Sequence, residues 1–96
     1  MRRKNTQTLG EVLSEYLDSM RLRKKLKESR IEKDWEEIVG KNAAALTRKV
    51  YIREGVLYVS LDSSVLRNEL MMMRETLIKR INERAGEEIV HKIVLK

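Results

Sequence analysis

The chain has 96 residues, a net charge of +6, 42% apolar residues and 38% charged residues. This length predicts one domain, and the apolar fraction indicates a folded chain rather than a disordered one. No apolar run approaches the roughly 20 residues that cross a bilayer and no signal-type segment follows the N-terminus, so we expect a cytoplasmic protein, and the absence of cysteine excludes disulfides and zinc-thiolate sites.

The first predicted element is an amphipathic helix. Residues 1–7 are expected to form a flexible basic arm and residues 8–96 a single domain, because no proline, repeat or low-complexity tract marks a boundary. Thr8 is a suitable N-cap, and apolar residues follow it at the helical spacing i, i+3, i+4, i+7, i+8, i+11. These residues are Leu9, Val12, Leu13, Tyr16, Leu17 and Met20. We expect Tyr16 to lie in the core.

Residues 21–40 predict a second helix whose apolar phase changes midway. Leu22 and Leu26 lie on one side of it, whereas Ile31 and Trp35 lie on another. We expect Leu22 and Leu26 to pack against the first helix and Trp35 to enter the main core. A glycine ends the segment.

Alternating apolar residues over 49–61 predict a β-hairpin with its turn at Glu54-Gly55. This pattern places Tyr51 and Tyr58 together on the open face of the hairpin. Two tyrosines at cross-strand distance could stack on nucleic-acid bases, contact a protein, or pack on each other.

A long third helix is predicted after Ser63 and Ser64, whose hydroxyl oxygens are suitable caps. Its apolar stripe consists of Leu66, Leu70, Met73, Leu77 and Ile81. Gly86 ends this helix, and the β-branched run of residues 87–96 predicts a third strand. The fold class is therefore α+β in the order α-α-β-β-α-β, with a three-stranded sheet covered by helices on one face.

The residue inventory argues against an enzyme. His91 is the single histidine, and no cysteine is available to share a metal with it. Capping explains Ser63 and Ser64, and the four glycines are isolated in sequence, so no Gly-rich phosphate loop is present. We expect no metal and no cofactor.

Positive charge is concentrated in residues 21–33, which carry +5 against −3 in residues 5–20. The seven cations are Arg21, Arg23, Lys24, Lys25, Lys27, Arg30 and Lys33. Such a segment predicts sequence-tolerant contacts to nucleic-acid phosphates, with Arg23, Lys27 and Arg30 on one helical face. The alternative is a solvated helix face in which Glu28 and Glu32 neutralise neighbouring cations.

A protein-partner surface is predicted around four residues. Val65 and Met72 are one heptad apart on the side of the third helix opposite its stripe, where adaptable apolar side chains suit a protein partner or self-association. Tyr51 and Tyr58 complete the set.

Three segments carry a resemblance to a known family. These are "WEEIVGKNAAALT" at 35–47, "GVLYVSLDSSVLRNEL" at 55–70 and "LIKRINERAGEEIVHKIVLK" at 77–96. Together they resemble the DciA family of bacterial replicative-helicase loaders. The matching positions, taken as architectural rather than as a site, are Trp35, Val39, Gly40, Gly55, Leu57, Val59, Leu70, Leu77, Asn82 and Gly86.

The resemblance implies a KH-like domain that helps the hexameric replicative helicase onto DNA, contacts both helicase and nucleic acid, and hydrolyses no ATP. Many family members extend into a tail implicated in helicase contact, whereas this chain stops at its last predicted strand, which suggests a short form. The Gly-x-x-Gly loop with which RNA-binding KH domains clamp the nucleic-acid backbone is missing.

These observations together predict a non-enzymatic DNA-replication accessory protein that binds single- or double-stranded DNA through its basic segment and docks on a replicative helicase. Two alternatives stay open. One is an RNA-binding KH-like module, for example on ribosomal RNA, and the other is a homodimeric adaptor without a nucleic-acid role.

Overall fold

A computed structural model describes residues 8–96 and confirms the α+β class. Five helices and three strands follow one another in the predicted order, except that three helices stand before the hairpin where two were predicted, and two helices stand after it where one was predicted. They are α1 (Leu9–Lys33), α2 (Trp35–Val39), α3 (Lys41–Ala45), β1 (Thr47–Arg53), β2 (Val56–Leu61), α4 (Ser64–Met72), α5 (Arg74–Ala85) and β3 (Lys92–Leu95).

The N-terminus of α1 is fixed by a capping box. The Thr8 hydroxyl accepts a hydrogen bond from the Glu11 amide at 3.1 Å, and the Glu11 carboxylate accepts one from the Thr8 amide at 2.9 Å. Each side chain thus satisfies a backbone donor that the first helical turn leaves without a partner. The predicted N-cap is confirmed.

The prediction of two helices over residues 9–40 is wrong in its boundary. Helix α1 continues without a break to Lys33, and Asp34 is its C-cap. Leu22 and Leu26 are 62% and 63% exposed, so they are not packed against a second helix within residues 8–96. The residues around Met20 and Arg21 include neither glycine nor proline, so a change of apolar phase there does not interrupt the backbone.

The core lies between one face of the sheet and the helices after residue 30. Its buried members are Ile31, Trp35, Ile38, Ile52, Leu57, Val59, Leu61, Leu70, Leu77, Ile81, Ile89 and Val90. Trp35 belongs to it as predicted, and its indole N–H donates to the Thr47 hydroxyl at 3.0 Å, which in turn donates to the Ala43 carbonyl. Tyr16, also expected in the core, is 59% exposed, because the part of α1 before residue 27 makes no contact that buries it.

The sheet has the strand order β1-β2-β3, with β1 and β2 antiparallel and β3 parallel to β2. The hairpin turn uses positive φ angles at both Glu54 and Gly55, as a two-residue turn between twisted strands requires. Gly55 is constrained a second time, because a Cβ there would lie 2.4 Å from the His91 ring nitrogen Nδ1.

The long third helix is divided into two at Met73. The Ser63 hydroxyl caps α4 as predicted, accepting from the Leu66 amide at 3.1 Å. At Met73 the backbone leaves helical geometry (φ −106°, ψ 13°), and α5 starts at the next residue. Met73, expected in the core stripe, is consequently 51% exposed, whereas Leu70 and Leu77 on either side of the break are buried as predicted.

The molecule is elongated. Its radius of gyration is 17.7 Å and its extents are 62 × 20 × 19 Å, whereas a compact chain of this length has a radius of gyration of about 12–13 Å. Every residue from Leu9 to Leu26 is exposed. We call residues 9–26 the projecting half of α1 and residues 27–96 the body.

Candidate nucleic-acid interface

The basic segment of residues 21–33 joins the projecting half of α1 to the body. Ile31 is buried in the core, and Glu32 accepts a hydrogen bond from the Ile52 amide of β1 at 3.0 Å. This bond satisfies an edge-strand donor and fixes α1 beside β1. The basic side chains one to two turns earlier are therefore held next to the hairpin.

Three of the seven predicted cations form ion pairs. Arg21 pairs with Asp18 at 3.2 Å, Lys27 pairs with Glu87 at 3.0 Å, and Arg30 lies 3.6 Å from Asp34. Asp34 is shared with Arg84, which also pairs with Glu37.

The remaining four cations have no ion pair within residues 8–96. They are Arg23, Lys24, Lys25 and Lys33. The trio expected to contact successive phosphates is therefore divided, since Lys27 and Arg30 have carboxylate partners and Arg23 has none. Neither Glu28 nor Glu32 forms an ion pair within residues 8–96. Glu32 is hydrogen-bonded to the Ile52 amide, and Glu28 interacts electrostatically with Lys24 and Lys25 at longer range.

Two carboxyl groups in this region have shifted pKa values. The hydrogen bond from Lys27 lowers the pKa of Glu87 below its usual value, and the charges of Lys27, Lys24 and Arg23 add to this effect. Partial burial raises the pKa of Glu28, although Lys24 opposes the shift. Both carboxyl groups thus sense the positive potential of the segment.

A cleft of about 380 Å³ separates the basic segment from the hairpin. Its lining consists of Arg21, Lys24, Lys25, Glu28, Tyr51, Ile52, Arg53 and Glu54. Four cations against two carboxylates make this a net positive concavity that leads from α1 onto the sheet.

The open face of the sheet is also basic. Strand alternation and register place Lys49, Arg53, Lys92 and Lys96 on the same face as Tyr51 and Tyr58. No carboxylate belongs to that face among the strand residues of the described chain. Sequence reasoning missed these four cations, although they occupy the same alternating positions that identified the two tyrosines.

The two tyrosines stack on each other. Tyr51 and Tyr58 are directly opposite in the β1–β2 register, with ring centroids 4.8 Å apart and planes inclined by 15°. The Lys49 ammonium lies 5.1 Å from the Tyr51 ring centroid, in a cation–π contact. The two tyrosines thus lie on the open face as predicted and pack on each other there. Little of the Tyr51 ring surface is left free.

The other two predicted partner residues lie on a different surface. Val65 is 67% and Met72 86% exposed on α4. Beside α4, a groove of about 290 Å³ runs between the α2–α3 pair and the α4–α5 pair. Its apolar lining includes Ile38, Ala43, Leu66, Leu70 and Met73.

The structure offers no metal centre in the part of the chain it describes. No three His, Asp or Glu side chains in residues 8–96 come together as metal ligands would. Among the helices of the same residues, none has both the length and the apolar character of a membrane-spanning segment.

Comparison with known proteins decides the family. The model of the family described as "Dna[CI] antecedent, DciA" matches residues 8–95, which is nearly all of the chain. The chain belongs to the DciA family. A curated relative, a "UPF0232 protein" of Corynebacterium glutamicum (strain R), is 28% identical over 87 residues.

This match to the UPF0232 protein covers 91% of the present chain and 49% of the relative, so the chain spans about half the length of that protein. The resemblance to DciA proteins that the sequence motifs indicated is confirmed.

Proposed function

We propose that this chain acts in DNA replication in the bacterial cytoplasm, assisting the loading or operation of the replicative helicase while holding DNA through sequence-tolerant phosphate contacts. Membership of the DciA family supports the replication role, because the family is one of helicase loaders. The single observation that supports the nucleic-acid contact is the pair of cations Lys24 and Lys25, which have no ion pair within residues 8–96 and line the cleft at the edge of a basic sheet face.

The geometry favours a phosphate backbone as the ligand. Lys24 and Lys25 line the cleft beside Arg53, and Lys49, Lys92 and Lys96 continue the positive surface across the sheet. A surface with a net positive charge attracts a polyanion and releases its counterions. One strand of nucleic acid passing from the cleft onto the sheet would meet cations in both places.

Base recognition is less favoured by the same contacts. One face of each tyrosine ring is covered by the other ring, and Lys49 approaches Tyr51. Binding would then depend on charge more than on stacking or on base edges. We expect little sequence preference and a steep loss of affinity with salt.

A pair of matched double variants tests the DNA contact. Lys24→Gln/Lys25→Gln removes two cleft cations, whereas Lys41→Gln/Lys79→Gln removes two exposed cations on other elements. The cleft variant should bind single- and double-stranded DNA more weakly, with the slope of log K against log salt reduced by roughly 0.7–0.9 per lost contact. The control should retain both affinity and slope.

Equal affinity in the two double variants would contradict the site. The titration should include structured RNA of matched length. A clear preference for RNA would instead favour the KH-like RNA-binding alternative.

For the helicase contact, the proposed docking region is the exposed surface of α4 formed by Val65 and Met72. An apolar side chain that is 86% exposed, as Met72 is, adds little to folding and much to a protein contact. Met72→Asp should reduce capture of the chain by the replicative helicase without changing its thermal stability. Leu26→Asp places the same charge on an exposed apolar position of α1 and serves as the control.

Unchanged helicase capture by the Met72→Asp variant would exclude this surface, and a large drop in melting temperature would show that Met72 packs in the core.

A further inference from the structure

The projecting half of α1 presents an apolar stripe that no part of the described chain covers. Its six members are Leu9, Val12, Leu13, Tyr16, Leu17 and Met20, which are 42–75% exposed. Together they leave on the order of 600 Å² of surface open, at the upper end of the largest apolar patches on monomeric proteins. A stripe of this size at helical spacing is typical of a helix that packs on something.

The body of the same chain cannot cover the stripe. Helix α1 is continuous from Leu9 to Lys33, and it contains no glycine or proline after Gly10. A straight helix of this length spans about 37 Å, so its first turns stay away from the body to which Ile31 belongs. The body is therefore excluded as the occupant, which leaves a second molecule as a candidate.

A membrane surface is a poor occupant. Helices that lie in the membrane interface carry lysine and arginine on their polar face. Over residues 9–20 the charged side chains of α1 are Glu11, Glu15 and Asp18, and all are acidic. Anionic lipid headgroups would repel this part of the helix.

The spacing of the stripe suits a second copy of the same helix. Its residues follow in steps of 3, 1, 3, 1 and 3, so the pattern is identical when read in either direction about the midpoint between Ser14 and Glu15. An antiparallel pair related by a twofold axis requires such a self-complementary surface, in which residue i meets j and j meets i.

We propose that two copies of this chain pair through the apolar stripes of their α1 helices, which run antiparallel. Leu9 then lies opposite Met20 of the second copy, and Leu13 lies opposite its Tyr16. At 100° per residue the stripe is bordered by Gly10 and Ser19, which are small and uncharged, whereas Glu11 and Asp18 point away from it. Like charges therefore do not oppose each other along the seam.

The area fits a modest dimer. Covering both stripes removes roughly 1,200 Å² from solvent, at the lower limit of specific protein–protein interfaces. The dimer should accordingly dissociate on dilution. Pairing places the two bodies at opposite ends of the helix pair, and the proposal stands independently of the proposed helicase and DNA contacts.

Sedimentation velocity of the 96-residue chain over a range of concentrations tests the pairing. Wild-type protein should shift from monomer to dimer with rising concentration, and Leu13→Glu should raise the dissociation constant at least ~10-fold because it buries a carboxylate in the seam. Leu22→Glu is the matched control, since Leu22 is 62% exposed on the same helix but lies off the stripe. It should dimerise like the wild type.

Two outcomes overturn the proposal. One is a wild-type chain that stays monomeric at every concentration. If, in addition, the Leu13→Glu variant lost binding to the helicase or to anionic vesicles, the stripe would be assigned to that occupant instead. The other is equal dimerisation by Leu13→Glu and Leu22→Glu.

The absence of cysteine allows the direction of pairing to be read by cross-linking. A mixture of Leu9→Cys and Met20→Cys chains should form a disulfide between the two variants, and neither variant alone should form one. Self-linking of Leu9→Cys, or no link in the mixture, would overturn the antiparallel arrangement.

Discussion

The projecting half of α1 and the body are built from similar sequence patterns but have different surroundings. Both contain apolar residues at helical spacing, yet Leu77 and Ile81 are buried on α5, whereas Leu13 and Tyr16 are more than half exposed on α1. Helical periodicity thus shows that a face is apolar without showing what covers it. In the body the sheet covers that face, whereas along the projecting half no described residue of the chain covers it, and there we propose a second copy.

The largest expected effect is a difference between the two regions in how much a truncation to alanine lowers the free energy of unfolding. Ile81→Ala removes a fully buried side chain from the body and should lower the free energy of unfolding by about 2–5 kcal/mol. Leu13→Ala removes a side chain that is 51% exposed and should change the free energy of unfolding by less than ~0.5 kcal/mol in the monomer. Urea denaturation at low protein concentration measures both values, and a Leu13 effect of similar size would mean that the projecting half packs on the body.

A smaller effect concerns the first turn of α1. Thr8→Ala removes the hydroxyl that accepts a hydrogen bond from the Glu11 amide. This loss should destabilise the start of the helix by about 1 kcal/mol. Because the projecting half has no packing on the body, the loss should be local. Amide hydrogen exchange should accelerate over the first turns of α1 while the urea midpoint of the body is unchanged, and a shifted midpoint would show that the two regions unfold together.

The smallest effect is a pH dependence at the junction of the two regions. The pKa of Glu87 is lower in the folded state, so this carboxylate stabilises the fold above its ordinary pKa and loses that contribution as the pH falls through the lowered value. The pKa of Glu28 is raised by burial, so its contribution has the opposite sign and declines as the pH rises.

Urea midpoints between roughly pH 3 and pH 7 should therefore diverge for Glu87→Gln and Glu28→Gln. Relative to the wild type, Glu87→Gln should be less stable at neutral pH and equal to it in acid. Glu28→Gln should be more stable at neutral pH and lose this advantage in acid. Parallel pH profiles for the two variants would contradict the opposite shifts.

Much of the body could be predicted because its signals are local. The Glu54-Gly55 turn, the Ser63 cap and the burial of Trp35 each follow from a few neighbouring residues. The helix boundaries could not, because Leu22 and Leu26 give an apolar phase change that implies a partner helix. The break at Met73 has no glycine or proline to mark it.

The candidate interface was predictable only in part. The density of cations in residues 21–33 is visible in the sequence, but their pairing is not, since Lys27 meets a carboxylate 60 residues away at Glu87. The basic face of the sheet requires the parallel pairing of β3 with β2, which brings Lys92 and Lys96 beside the hairpin. Long-range strand pairing of this kind leaves little trace in a single sequence.

Because the backbone of α1 is unbroken, this helix fixes both the distance and the angle between the apolar stripe and the basic cleft. A helix advances 1.5 Å and turns about 100° with each residue, so the angle between the apolar stripe and the basic cleft is set by the number of residues between them. One inserted residue would rotate the stripe by about 100° relative to the cleft, whereas seven would nearly restore its direction and lengthen the spacer by about 10 Å. Any insertion or deletion between the stripe and the cleft therefore changes their separation and their relative orientation together.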